Sequence, residues 1–125
     1  MTLKNLQPDF SSHINFIPVR GDFARGIFAI TTLSCSLDQE EVEKLYQDFY
    51  ANAPFVVVSD SPIHLKQAVN TNKAILHLQK HEDKLLITCA EDNLLKGASG
   101  QAVQNMNIIF GFDQSLGLKL KPSAF

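Results

Sequence analysis

Residues 74–90 read AILHLQKHEDKLLITCA, and the fold class turns on them. Apolar residues alternate on either side of a polar break: Leu76 and Leu78 before it, Leu85, Ile87 and Cys89 after it. A period of two is the mark of a strand with one buried face. The break, His81-Glu82-Asp83, is short and polar, so Ala74–Lys80 and Lys84–Ala90 are predicted to form an antiparallel hairpin.

Upstream, Ile27–Cys35 is the strongest single strand in the chain, rich in Ile, Thr and Phe, with Ile27, Ala29, Leu33 and Cys35 on one face. Arg20-Gly21-Asp22 marks a turn, and His13–Pro18 ahead of it is predicted to be a short strand. After the main strand comes a helix. Ser36 with Gln39 has capping-box spacing, Asp38, Glu40 and Glu41 complement the dipole of the first turn, and Val42, Leu45, Tyr46 and Phe49 mark a buried face. Pro54 ends it, and Phe55–Val58 is a short apolar strand. Residues 59–62 form a turn. Met1–Ser12 is a polar lead-in and the tail to Phe125 is mixed. Strands and helices in this order predict an α+β domain, a mainly antiparallel sheet with helices packed on one face.

A chain of 125 residues is one domain, 1–125. With 45% hydrophobic and 19% charged residues it can bury a core. A net charge of -2 excludes a strongly basic nucleic-acid or anionic-membrane binder. The uncharged run Gly97–Phe112 is too short and polar to span a bilayer. The first ten residues lack the apolar core of a secretion signal. Cys35 and Cys89 lie in strand-like apolar stretches and are expected to be inert free thiols of a reducing compartment, so a cytoplasmic location is expected. His77 and His81 lack the further ligands a metal site needs, and no metal is expected.

A second helix is predicted from Leu94 to Phe110, capped by Asp92 or Asn93 and stopped by Gly111. Leu95, Ala98, Ala102, Met106 and Ile109 make an apolar stripe expected to lie against the sheet. The opposite face carries Asn93, Gly97, Gly100, Gln101 and Gln104, amides and glycines where lysine and glutamate are usual. A glycine inside a helix costs about 1 kcal/mol relative to alanine. Two of them one turn apart point either to a ligand or backbone in close approach, or to tight packing without a ligand.

The run Glu91-Asp92-Asn93-Leu94-Leu95-Lys96-Gly97-Ala98-Ser99-Gly100-Gln101-Ala102-Val103-Gln104 resembles the late DNLxKGAxGQAVQ motif of the N-acetyl-gamma-glutamyl-phosphate reductases. Phe16-Ile17-Pro18 followed by Gly21-Asp22-Phe23-Ala24-Arg25-Gly26-Ile27 is similar to that family's FxP…GxFxRGI segment. Val19 departs from it, where many members carry histidine. Aspartate-semialdehyde dehydrogenases share the DNLxKGA portion but not the GQAVQNMN continuation or the RGI segment.

The resemblance implies part of a glyceraldehyde-3-phosphate dehydrogenase-like C-terminal domain. Its parent enzyme reduces N-acetylglutamyl 5-phosphate to the semialdehyde with NADPH, in arginine biosynthesis. It also implies a small-molecule substrate, no nucleic-acid or membrane partner and a homo-oligomer. NADP would be held mainly by another domain, against which helix 94–110 would pack. Asn93, Gly97 and Gly100 would face the cofactor, and Arg25 and Lys96 the substrate, although an Arg25 ion pair and a solvated Lys96 fit the same residues. The family's GxGxxG turn, PGCYPT cysteine and HxHxxE histidine have no counterpart here, so no catalytic residue is assigned and the isolated chain is expected to be inactive. The alternatives are an aspartate-semialdehyde dehydrogenase-type domain and a non-catalytic interaction module.

Overall fold

A computed structural model of the chain describes residues 5–122. The start of the polar lead-in, residues 1–4, and the end of the tail, residues 123–125, lie outside the described residues. The chain folds as an α+β unit around a four-stranded sheet made of β1 (Ile27–Ser34), β2 (Val56–Ser59), β3 (Ala74–His81) and β4 (Lys84–Glu91), in the order β1-β4-β3-β2. β3 and β4 form the predicted hairpin, with His81 opposite Lys84. β1 runs antiparallel along the other side of β4, from Ile27 opposite Glu91 to Ser34 opposite Lys84. β2 pairs with β3 in parallel, so the sheet is mixed rather than purely antiparallel. The parallel pair follows from the long connection after β2, since parallel neighbours need a crossover. That connection holds a short 3-10 turn, Leu65–Gln67.

Among the described residues, the long helix on the sheet is α1 (Gln39–Tyr50). Its cap lies two residues later than the sequence suggested. Asp38 accepts from the Glu41 N–H at 2.9 Å, and Glu41 accepts from the Asp38 N–H at 2.9 Å. Gln39 is drawn elsewhere. β2 ends level with His77, so the backbone of β3 beyond it lacks a strand partner on that side. The Gln39 amide fills the gap, donating to the Leu78 carbonyl at 3.0 Å and accepting from the Lys80 N–H at 2.8 Å.

Val42 packs under α1 with Leu78 and Leu85, joined by Cys35, Tyr46, Val58 and Ile87. A second small core, Ala68, Ile75 and Ala90 with Ile63 and Leu65, lies on the other face of the sheet. Leu45 and Phe49, expected in the core, are exposed at 56% and 78%, because nothing among the described residues covers that shoulder of the helix. The strand expected over His13–Pro18 is absent. The segment finds no sheet edge, Pro18 has no N–H to donate, and Phe16 and Ile17 are bare.

The second helix opens with a wide turn, Leu95–Ser99, in which the Gly97 N–H bonds to the Asp92 carbonyl and the Ser99 N–H to that of Leu94. The α-helix α2 (Gly100–Ile109) follows. It stops where predicted. Gly111 has φ +72° and donates to the Ile108 carbonyl, and the Phe112 N–H reaches the Asn107 carbonyl, a Schellman termination.

The facing of α2 is reversed from the expectation. Gly100 and Asn107 are buried, whereas Ala98, Ala102, Met106 and Ile109 are exposed. The amide face turns inward because the chain's own polar groups meet it. Gln104 donates to the Gln114 side chain at 3.0 Å and Asn107 to the Leu116 carbonyl at 3.0 Å. Among the described residues, no helix is long and apolar enough to cross a membrane.

Candidate functional site

The motif residues meet where β4 ends and the second helix begins. Ile27 and Glu91 are the last paired residues of β1 and β4. The residues just beyond them, Arg25-Gly26 on one side and Asp92-Asn93 on the other, continue the seam with side chains. The Gly26 N–H donates to Oδ1 of Asn93 at 2.7 Å. Arg25 Nη2 lies 3.0 and 2.9 Å from the two carboxylate oxygens of Asp92.

Asp92 is fully buried and is the hub of the site. Its Oδ2 also accepts from the N–H of Asn70 at 2.7 Å, and its Oδ1 from those of Leu94 and Leu95 at 2.9 and 3.0 Å. One carboxylate thus ties together the entry to β1, the crossover loop, the end of β4 and the first turn of the second helix. Burial pushes the Asp92 carboxyl up, but the bonds from Asn70, Arg25, Leu94 and Leu95 outweigh it and hold the group below its ordinary range. Asp92 stays ionised, as the helix N-terminus favours.

Two glycines in this region are crowded by a neighbouring side chain. Gly26 has φ +111°, and a Cβ there would run into the Leu65 side chain. A Cβ at Gly100 would occupy the space of the buried Asn72 amide. Gly97 is exposed, with only ordinary contacts to Glu91 and Asp92. The three residues expected to share one cofactor-facing surface are therefore divided. Asn93 and Gly97 are accessible, whereas Gly100 faces inward against Asn72.

Of the residues expected near the substrate, Arg25 is committed to Asp92, the ion-pair alternative weighed from sequence. Lys96 lies along its own helix, donating to Oε1 of Gln101 at 2.6 Å and of Gln104 at 3.3 Å, with its ammonium 6.0 Å from the centre of the Phe55 ring. Burial lowers its pKa, and the carboxylate of Glu91 works against that fall. The polar neighbours of Lys96 are thus mostly amide oxygens.

Sequence reasoning missed Asn70 and Asn72. Asn70 has a φ of +64° that presents its N–H to Asp92. Asn72 is 2% exposed, and neither polar atom of its amide has a hydrogen-bond partner among the described residues. The Asn-Thr-Asn run at 70–72 is a local turn signal, but nothing in it announces a contact with residues 92 and 100.

Cys35 and Cys89 are unpaired and half-buried. Burial, with help from Glu91, pushes the Cys89 thiol up, away from the thiolate a nucleophile needs. His77 bonds to the Ser59 carbonyl at 3.1 Å. Among the described residues, no three His, Cys, Asp or Glu side chains come together as metal ligands would.

A protein-family model described as the semialdehyde dehydrogenase dimerisation domain matches residues 2–93. The chain is 57% identical over 124 residues to an N-acetyl-gamma-glutamyl-phosphate reductase of Phocaeicola vulgatus, 56% to one of Parabacteroides distasonis and 52% to one of Flavobacterium johnsoniae. Each match covers 99% of this chain and 38% of the relative, so the chain spans well under half the length of the proteins it resembles.

Proposed function

The chain belongs to the semialdehyde dehydrogenase dimerisation-domain family, and from that premise we propose that it is the subunit-joining, substrate-side portion of an N-acetyl-gamma-glutamyl-phosphate reductase. The observation that carries this reading is identity of 55–57% along essentially the whole chain with proteins of that name. The complete enzyme would reduce N-acetylglutamyl 5-phosphate to the semialdehyde with NADPH, in the cytoplasm, as a step of arginine biosynthesis. A second copy would complete the assembly.

The dinucleotide supplies hydride, and most of its cradle would belong to the part of the enzyme that this chain does not span. The described residues fit one edge of it. Asn93 stands accessible at the helix start, and its oxygen is already satisfied by Gly26. The hydrogens on its Nδ2 are the donors a carboxamide oxygen requires. Gly97, one turn on, keeps that approach open. Gly100 acts from behind, letting Asn72 close against the helix. In this reading Arg25 is a positioning residue that fixes Asp92, and Lys96 one that fixes the amides of Gln101 and Gln104.

The nucleotide-binding domain would cover the second helix. The face offered to it is apolar and uncharged: Ala98, Ala102, Met106 and Ile109. Such a stripe left in water is an interaction surface.

A chimera tests the assignment. The segment of the Phocaeicola vulgatus reductase that aligns with this chain is replaced by the chain, and turnover of N-acetylglutamyl 5-phosphate with NADPH is measured. The expected result is activity within about tenfold of the parent, a loss under 1.4 kcal/mol. A folded chimera without activity would overturn the assignment.

A further inference from the structure

We propose that Asn72 is a positioning residue for the dinucleotide: seated against Gly100, it sets where α2 rides on the sheet and so how far the cofactor lies from Asn93. This rests on the reductase reading above and adds a residue to it.

One short turn grips the start of the second helix at both ends. Asn70, at φ +64°, donates its N–H to Oδ2 of Asp92 at 2.7 Å, ahead of the wide turn Leu95–Ser99. Two residues on, the Asn72 amide meets Gly100, the first residue of α2, so closely that a Cβ there would overlap its Oδ1 and Cγ. Thr71 between them is buried and locks the turn, donating to the Ala68 carbonyl at 2.7 Å and accepting from the Lys73 N–H at 3.1 Å. The next residue, Ala74, opens β3 opposite Glu91. The seat under Gly100 is therefore fixed to the sheet.

What lies between the two grips is the compliant part. The N–H groups of Gly97, Ser99 and Gly100 reach back five residues, to the carbonyls of Asp92, Leu94 and Leu95, one more than in an α-helix. Gly97 is exposed and adds backbone freedom. A turn of this kind leaves the placing of α2 to its outside contacts, and the contact at its far end is Asn72 against Gly100.

Packing stability alone does not account for the amide. Asn72 is buried, and neither of its polar atoms has a partner among the described residues. An apolar side chain of similar shape would serve packing better. Its place in the fold supplies another role. Asn93 is held on the sheet side, its Oδ1 taken by the Gly26 N–H. The cofactor, in the reading above, arrives with the domain that covers the apolar stripe of α2. The wide turn links the two, so a shift of α2 against Asn72 changes the gap between Nδ2 of Asn93 and the nicotinamide without touching either.

The test is NADPH binding by the chimeric reductase, read from the fluorescence of the reduced nicotinamide with no acyl phosphate present. Asn72→Ala empties the seat, and Gly100→Ala crowds it from the helix side. Each should raise the dissociation constant about 3- to 10-fold, the size of one weakened hydrogen bond. Joining them should bring binding back to within about twofold of the parent chimera, because the added methyl fills the space the amide vacates. In the Asn93→Asp background, Asn72→Ala should add less than about 1.5-fold, since the contact it adjusts is already gone. Asp38→Ala, which weakens α1 far from the seat, should leave binding unchanged. A parent chimera that does not bind NADPH would remove the reductase reading and this proposal with it. With a parent that binds, a folded Asn72→Ala or Gly100→Ala variant that binds equally well would overturn the positioning role alone. So would effects of Asn72→Ala and Asn93→Asp that multiply.

Discussion

The backbone N–H of Gly26 donates to Oδ1 of Asn93 at 2.7 Å, so a side chain takes over as the β1–β4 ladder ends. The bond forms because Gly26, at φ +111°, turns its N–H toward the end of β4. It holds in one orientation the amide expected to meet the cofactor. Arg25 and Asp92 close beside it at 2.9 Å. The two sequence motifs, some 65 residues apart, are thus halves of one seam.

Asp92 should dominate acid stability. Its folded pKa is depressed, so it contributes stability that is fully present above the unfolded value of about 3.9. That stability is lost as pH falls below about 4 through the folded pKa. Asp92→Asn removes the charge while keeping the shape. It should cost about 2–4 kcal/mol near neutral pH, because the Arg25 pair and charge-assisted bonds from three N–H groups are weakened. Urea midpoints measured from pH 7 to pH 3 check this: the variant should lose less on acidification than wild type. Parallel pH profiles would show that Asp92 is not the titrating group.

The start of α1 can be tested by paired substitutions. Asp38→Ala should lower stability by about 1 kcal/mol, the usual loss for a side-chain N-cap, whereas Ser36→Ala should stay within about 0.5 kcal/mol. Thermal unfolding separates the two. A larger effect at Ser36 would restore the cap position first suggested by sequence.

That cap shows how far local sequence reaches. Helix existence, the hairpin and the Gly111 stop were legible because each is set by neighbours within a few residues. The cap slipped because Gln39 answers to the backbone of β3, 39 residues away. The facing of α2 failed for a related reason. Periodicity identified the apolar stripe correctly, but which face is buried depends on Asn72 and residues 113–118, which meet the amide face. In the site, a cap at Asp92 or Asn93 was legible, and Asp92 is the one that supplies it. Its bonds to Arg25 and Asn70 were not, since they join separate segments.

Gly100→Ala should destabilise the chain even though alanine favours helices by about 1 kcal/mol, because the new methyl meets a buried amide. A net loss of about 1–3 kcal/mol is expected, the range for overpacking. Asn72→Ala should remove the clash, so the double variant should be more stable than Gly100→Ala alone, a coupling seen in a double-mutant cycle of urea midpoints. Additive losses would mean the two residues do not compete for one space.

Asn93 permits a sharper test, because its two polar atoms have different partners. Asn93→Asp keeps the oxygen that accepts from Gly26 and removes the amide hydrogens proposed to meet the nicotinamide. In the chimeric reductase it should raise KM for NADPH about 5- to 50-fold, equivalent to about 1–2.3 kcal/mol, the range of a lost hydrogen bond with some added carboxylate repulsion. The melting temperature should stay within about 3 °C, because the Gly26 bond survives. Asn93→Ala should lose on both measures. If Asn93→Asp lowered stability and left KM untouched, Asn93 would be a strut for the seam and the cofactor would lie elsewhere.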